Sequence, residues 1–176
     1  NSSAAAEFEL FQGLAEAGVA DVAVTSTWGA SAVPEIPNTS PWSKANDDYW
    51  ARVVPGLLAE LRRGDIVLMI NDMATFAPLP MTPAFTTRLG QLERGLGRIA
   101  SDLAQRGIDV IYQTANPFLR EANCSPDMAV RQWFHRSKSP LCNYYTREAS
   151  LARRRPVQDV LERLQRQHAN IRILDL

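Results

Sequence analysis

Histidine and cysteine are scarce in this chain, with two of each among 176 residues. That scarcity removes whole classes of chemistry. No Cys/His cluster has the spacing of a zinc site, so nothing asks for a metal. Neither Gly-x-Gly-x-x-Gly nor a phosphate loop occurs, so a nucleotide-binding α/β domain ranks last among the readings and no cofactor is expected. Net charge is +0, which gives no electrostatic footprint for nucleic acid. No apolar run is long enough to span a bilayer. There is no signal peptide, and the chain starts at Asn1 without a Met, as expected of a processed or cut chain. Internal repeats and low-complexity tracts are also missing.

What remains has the size of one soluble domain with a real core. The most informative stretch is Asp65-Ile-Val-Leu-Met-Ile-Asn-Asp72. Ile66 to Ile70 is a continuous apolar run, the pattern of a strand buried on both faces of a parallel sheet. It stops abruptly at Asn71-Asp72. Two readings fit this pair. Asn and Asp open turns. An amide just beyond the carboxyl end of a parallel strand also sits where α/β sheets bind ligands, and can donate to an oxyanion. Asp72 reads as a residue that holds the loop.

Helix and strand alternate along the rest of the chain. Residues 3–17 read as a helix with Phe8, Phe11 and Leu14 on one face and Gly18 as its stop. Residues 21–26 read as a strand, followed by a loop over 27–46. Asp47 or Asp48 is expected to cap a helix carrying Trp50, Val53, Val54, Leu57 and Leu61, with Pro55 as a kink and Arg63-Gly64 as its end. After the strand at 66–70 and a Pro-rich loop over 74–82, residues 83–106 form the longest helix. Its stripe is Phe85, Leu89, Leu92, Leu96, Ile99 and Leu103. Gly107 ends it, and a strand follows at 109–114. A loop over 115–144 holds Cys124 and Cys142. A polar helix at 146–154 is expected to end before Pro156, which suits the first position of a separate helix carrying Val157, Val160, Leu161 and Leu164. The last strand is 171–174.

This order predicts an α/β fold, a three-layer sandwich on a parallel sheet with right-handed crossovers. The chain opens on a helix and closes just after a strand. It therefore reads as a single domain over 1–176, without its first strand and its C-terminal end. Cys124 and Cys142 bracket an irregular polar loop. The expectation is a disulfide in an oxidising compartment, and two free thiols are the alternative.

The layout of the motifs resembles SGNH hydrolases, α/β serine esterases, in the form fused to acyltransferase-3 membrane proteins. The first block of that form reads Gly-Asp-Ser-His. Asn1-Ser2-Ser3-Ala4-Ala5 is similar to it with the Gly missing, Asn1 for Asp and Ser3 for His. Gly29, in Ser-Thr-Trp-Gly-Ala, falls where the second block has its glycine. Met69-Ile70-Asn71-Asp72 resembles the third block, Gly-x-Asn-Asp, with Met69 for Gly. The stretches 142–150 and 155–156, and on to Ile173-Leu174-Asp175, resemble the approach to the final motif, but Asp-x-x-His itself is not found.

The resemblance implies an SGNH/flavodoxin-like sheet and a catalytic set of Ser2, Gly29 and Asn71. A serine opening a helix beyond a strand has a free backbone N–H for an oxyanion. A glycine lets backbone approach substrate and offers a second donor. An asparagine amide supplies a third. Ser2 alone reads as a helix N-cap. The base is the missing part. His168 follows a helix at the amino end of the last strand, the wrong edge, and reads as a helix C-terminal residue. His135 sits in a loop nearer the right face and reads as a surface residue. Neither is nominated, and the family places its Asp and His beyond the last strand, here beyond Leu176.

The implied substrate is an acylated sugar or glycan. The implied activity is O-acyl (O-acetyl) ester hydrolysis or transfer. The implied place is extracytoplasmic, covalently joined to a membrane acyltransferase domain. The alternative is a non-catalytic glycan- or partner-binding domain on the same fold. Trp28, Trp42 and Trp133 either stack on sugar or plug gaps over the sheet. Arg153-Arg154-Arg155 reads as a solvated helix face.

Overall fold

The computed structural model describes residues 8–18, 21–26, 31–38, 41–70, 81–114 and 146–175, with backbone alone at 8–10. In chain order the elements are α1 (Phe8–Glu16), α2 (Ser43–Asp48), a π-helical turn (Tyr49–Val53), α3 (Val54–Glu60), β1 (Ile66–Ile70), α4 (Pro83–Ala104), β2 (Asp109–Gln113), α5 (Arg147–Gln167) and β3 (Ile171–Leu174). The three strands form a parallel sheet in the order β1-β2-β3. The chain is therefore an α/β protein.

The strand register explains the core. Val67 lies beside Val110, which lies beside Ile171; Met69 lies beside Tyr112, which lies beside Ile173. Side chains alternate between faces, so these six share one face of the sheet. Sequential parallel strands with right-handed crossovers put both connecting helices on the same side. Accordingly α4 packs on β2, α5 packs on β3, and the two helices pack on each other. The stripe expected on α4 is the buried one: Phe85, Leu92, Leu96, Ile99 and Leu103 are buried, with Leu89 at the margin. Val157, Val160, Leu161 and Leu164 of α5 complete the layer. Each such side chain contributes about 1.5–3 kcal/mol by leaving water. The opposite face carries Ile66, Leu68, Ile111 and Leu174, with Ile66 58% exposed. Gln113 on the same face is buried.

Local chemistry sets the element ends. Thr82 and Thr146 accept hydrogen bonds from the Phe85 and Ala149 amides, capping α4 and α5. Pro83 opens α4, where its missing N–H costs nothing. Gly107 takes φ +70 after α4, and a Cβ there would lie 2.9 Å from Arg63 Cγ. Its carbonyl accepts from the Gly64 amide, which locks the entries of β1 and β2 together. Arg106 reaches back to the last carbonyls of the preceding helix, donating to Leu58 O at 2.6 Å and to Leu61 O. A cation at a helix C-terminus also suits its dipole.

Three expectations need correction. Residues 21–26 pair with no strand among the described residues; they run exposed, with Val24 43% accessible, and Tyr49 Oη donates to Thr25 O. The valine alternation supplied β propensity, but a strand exists only with a partner. Second, the helix ahead of β1 starts at Ser43, not at Asp47 or Asp48, and no side chain caps it. The Pro55 irregularity takes the form of a π turn: the Val54 amide bonds to Tyr49 O, five residues back. Pro55 has no N–H for the Ala51 carbonyl, and the wider turn precedes that gap. Third, 147–167 is one helix with Pro156 inside it. The stripe runs unbroken through Arg154, Val157, Val160, Leu161 and Leu164, and its burial holds the helix together across the proline.

Candidate site at the carboxyl edge of the sheet

The three strands end at Ile70, Gln113 and Leu174. The residues that follow are Asn71, Thr114 and Asp175. Asn71, like Ser2 and Gly29, lies outside the described residues, and so do Cys124, Cys142, Trp28, Trp133 and His135. Thr114 and Asp175 are described, and they meet.

Thr114 is fully buried. Its amide donates to Leu174 O at 2.9 Å, which extends the β2–β3 ladder by one step. Its hydroxyl donates to Asp175 Oδ1 at 2.6 Å. Above both lies Arg154, only 8% exposed. One Nη of its guanidinium donates to Thr114 Oγ1 at 2.9 Å and to Asp175 Oδ1. A helical side chain leans towards its own N-terminus. The N-terminus of α5 follows the crossover from β2, so Arg154, two turns in, reaches the carboxyl edge. Thr114 and Asp175 follow the strand parity of Tyr112 and Ile173, so both lie on the helix-covered face. The Thr114 hydroxyl, and next the Arg154 guanidinium, hold the Asp175 carboxyl below the usual carboxylate range against its partial burial.

The expectation of a solvated Arg153-Arg154-Arg155 face is therefore corrected at its centre. The signal was present in the sequence. Extending the stripe of Val157, Leu161 and Leu164 back one turn lands on Arg154. A charge on an apolar stripe needs a partner. Arg154 Nε is buried without an acceptor among the described residues, a deficit of about 1–3 kcal/mol. An apolar side chain of similar size would often hold the fold as well.

A second polar lock begins two residues after Gly29. Asn46, 3% exposed, accepts the Ser31 amide at 2.8 Å and the Ser31 hydroxyl at 2.9 Å on its Oδ1. Trp50 Nε1 donates to Ser31 O at 3.2 Å. The next residues pack on α4: an ideal Cβ on Gly95 would lie 2.6 Å from Val33 Cβ. Asn46 gave no signal in sequence, because a buried Asn within a polar tract looks like any surface Asn.

His168 ends α5, three residues ahead of β3. This is the amino edge, away from Thr114 and Asp175, as its sequence position implied. Asn170 beside it donates from Nδ2 to Ala100 O at 2.9 Å and Ile108 O at 3.0 Å, pinning the start of β3. Trp42 is 53% exposed. Burial pushes the Tyr112 phenol far upward, so it stays neutral within the core. Among the described residues no group of three or more His, Cys, Asp or Glu could hold a metal. No described helix is long and apolar enough to cross a membrane. No family model, curated protein or solved structure matches this chain.

Proposed function

We propose that this chain is an SGNH-like, three-layer α/β domain that acts on O-acyl groups of a glycan, O-acetyl esters above all. The observation that carries the reading is the end of β1. Ile70 is the last described residue of a strand in a parallel sheet, Asn71 is next in sequence, and such sheets bind ligands beyond the carboxyl ends of their strands, which supports the role given to Asn71. Thr114 and Asp175, also just past strand ends, form a polar cluster there.

In this reading Ser2 Oγ attacks the acyl carbon and loses its proton to a general base. The Ser2 amide, the Gly29 amide and the Asn71 side-chain amide hold the tetrahedral oxyanion. Collapse breaks the ester C–O bond, and the leaving alkoxide takes the proton back from the base. Water or a sugar hydroxyl then gives its proton to the base and attacks the acyl carbon, the acyl C–Oγ bond breaks, and Ser2 Oγ takes the proton back, giving hydrolysis or transfer. His168 is not the base, because it precedes β3. The resemblance supports an extracytoplasmic place beside a membrane acyltransferase domain.

A second reading is a non-catalytic glycan- or partner-binding domain. Asn1 and Ser3 in place of the family's Asp and His, with no Asp-x-x-His, favour it. Kinetics of the full-length protein on a small acetyl ester separate the two. Ser2→Ala should abolish turnover, and Asn71→Ala should cost about 3 kcal/mol, roughly 100-fold in rate. An inert parent protein, or a fully active Ser2→Ala variant, selects the binding domain.

A further inference from the structure

We infer that Asp175 closes an acid-sensitive latch on the end of β3. While its carboxyl is charged, Arg154 stays inside and the end of the strand is held; once it is protonated, Arg154 turns out to water and that end loosens. The inference is independent of the catalytic reading above. Arg154 donates to the Thr114 hydroxyl, the hydroxyl donates to Asp175, and Arg154 also donates to Asp175, so the three close a triangle. Beside it, the carbonyl of Leu174, the last residue of β3, accepts the Thr114 amide at 2.9 Å. The triangle thus fastens the end of a four-residue strand to β2 and to the helix packed on it.

The triangle is lopsided. The Arg154 side chain is 10% exposed and the Asp175 side chain 55%. Removing the cation leaves an aspartate that water already reaches. Neutralising the aspartate leaves a buried cation without its counter-charge, which is the costly half of a broken pair. The way out is short, because an arginine keeps its apolar stem packed while its head turns to solvent. Its Nε has no acceptor among the described residues, so nothing on that side holds it in.

β3 packs on β2 and α5. From α5, the charge that acts on Asp175 is Arg154. Arg155 is engaged with Asp159 at 2.7 Å. The end of β2 presents Thr114, which carries no charge, and Tyr112, whose buried phenol stays neutral. Arg172, on β3 itself, has the opposite strand parity. The Thr114 hydroxyl, and next Arg154, hold the Asp175 carboxyl below its usual range. The latch is therefore closed above the ordinary Asp value of about 3.9, and it opens as pH falls through the lower folded value.

The test is native-state hydrogen exchange of the full-length protein, read at single residues and corrected for the intrinsic pH dependence of exchange. The variants are Asp175→Asn, Arg154→Met and the double variant. In the parent, the Thr114 amide should lose protection on acidification before the Val110 amide, which donates to Asn170 O at the other end of β2. Arg154→Met should blunt that acid response. At neutral pH Asp175→Asn should reproduce the open state, with protection at Thr114 lowered about 10-fold or more and unchanged at Val110. Its thermal midpoint should fall further than that of Arg154→Met, and the double variant should recover most of the loss. If Asp175→Asn does not fold, recovery of folding in the double variant supports the latch and its failure overturns it. Thr114 protection that survives acidification, simultaneous loss at Thr114 and Val110, or an undiminished acid response in Arg154→Met overturns the inference. So do equal falls in midpoint for the two single variants.

Discussion

Replacing Pro156 with Ala should make this protein more stable. Pro156 lies ten positions into α5, with helix on both sides. It cannot donate to the Ala152 carbonyl, and its ring crowds that carbonyl. In a helix interior Pro is about 3 kcal/mol less favourable than Ala. Against this, Pro restricts the unfolded chain, and Ala gives back about 0.4–1 kcal/mol of that advantage. The net expectation is a gain of about 2 kcal/mol. For a domain of this size that raises the thermal midpoint by about 4–8 °C. Urea unfolding followed by far-ultraviolet circular dichroism should show a higher midpoint at unchanged slope, with slightly more helix in the native baseline. The alternative arrangement, two helices with Pro156 at the first position of the second, gives a different answer. At that position the missing N–H is unpaired in any case, so Ala brings no gain. A neutral or destabilising result would refute the continuous helix, and with it the route by which Arg154 reaches the strand ends.

Gly95→Ala should destabilise by about 1–3 kcal/mol, because the new methyl would lie 2.6 Å from Val33 Cβ; an unchanged urea midpoint would show that the 31–36 segment does not pack on α4. Asp175 has a lowered carboxyl pKa, from the Thr114 hydroxyl first and Arg154 next, so its contribution is present above the ordinary Asp value of about 3.9 and fades as pH falls through the lower folded value. Asp175→Asn should therefore cost stability at neutral pH and progressively less as pH falls below the ordinary Asp value, and a deficit that does not shrink with falling pH would contradict the assigned partners. Cys124 and Cys142 should form a disulfide worth about 3 kcal/mol in the chain-entropy model; thiol counting on denatured protein purified without reductant should find no free cysteine, and two would contradict the bond.

The sequence made the sheet legible because each strand announces itself locally. Ile66–Ile70 and Ile171–Leu174 match their expected bounds, and β2 ends one residue early, at Gln113. These are short apolar or alternating runs bounded by Gly64, Gly107 and Asn170. The α4 stripe was equally plain, since its steps of four and three encode the buried face directly. Residues 21–26 misled because pairing is not a local property. Pro156 misled because its local preference for a helix start was overridden by a buried stripe on both sides of it. At the candidate site, the end of β1 before Asn71 could be read from the chain. The Thr114–Arg154–Asp175 triangle could not be read as a unit, because it joins residues 40 and 21 positions apart through the crossover that brings α5 over the sheet. Only the misplaced charge at Arg154 hinted at it.

The central claim is that Ser2 carries the acyl group. The direct measurement is peptide mass spectrometry of the full-length protein, acid-quenched during turnover of a small acetyl ester. The account predicts an acetyl group on the peptide containing Ser2, lost in Ser2→Ala and much reduced in Asn71→Ala. Turnover with an unmodified Ser2 peptide in every quench, at substrate levels that saturate the parent, together with an active Ser2→Ala variant, would contradict it.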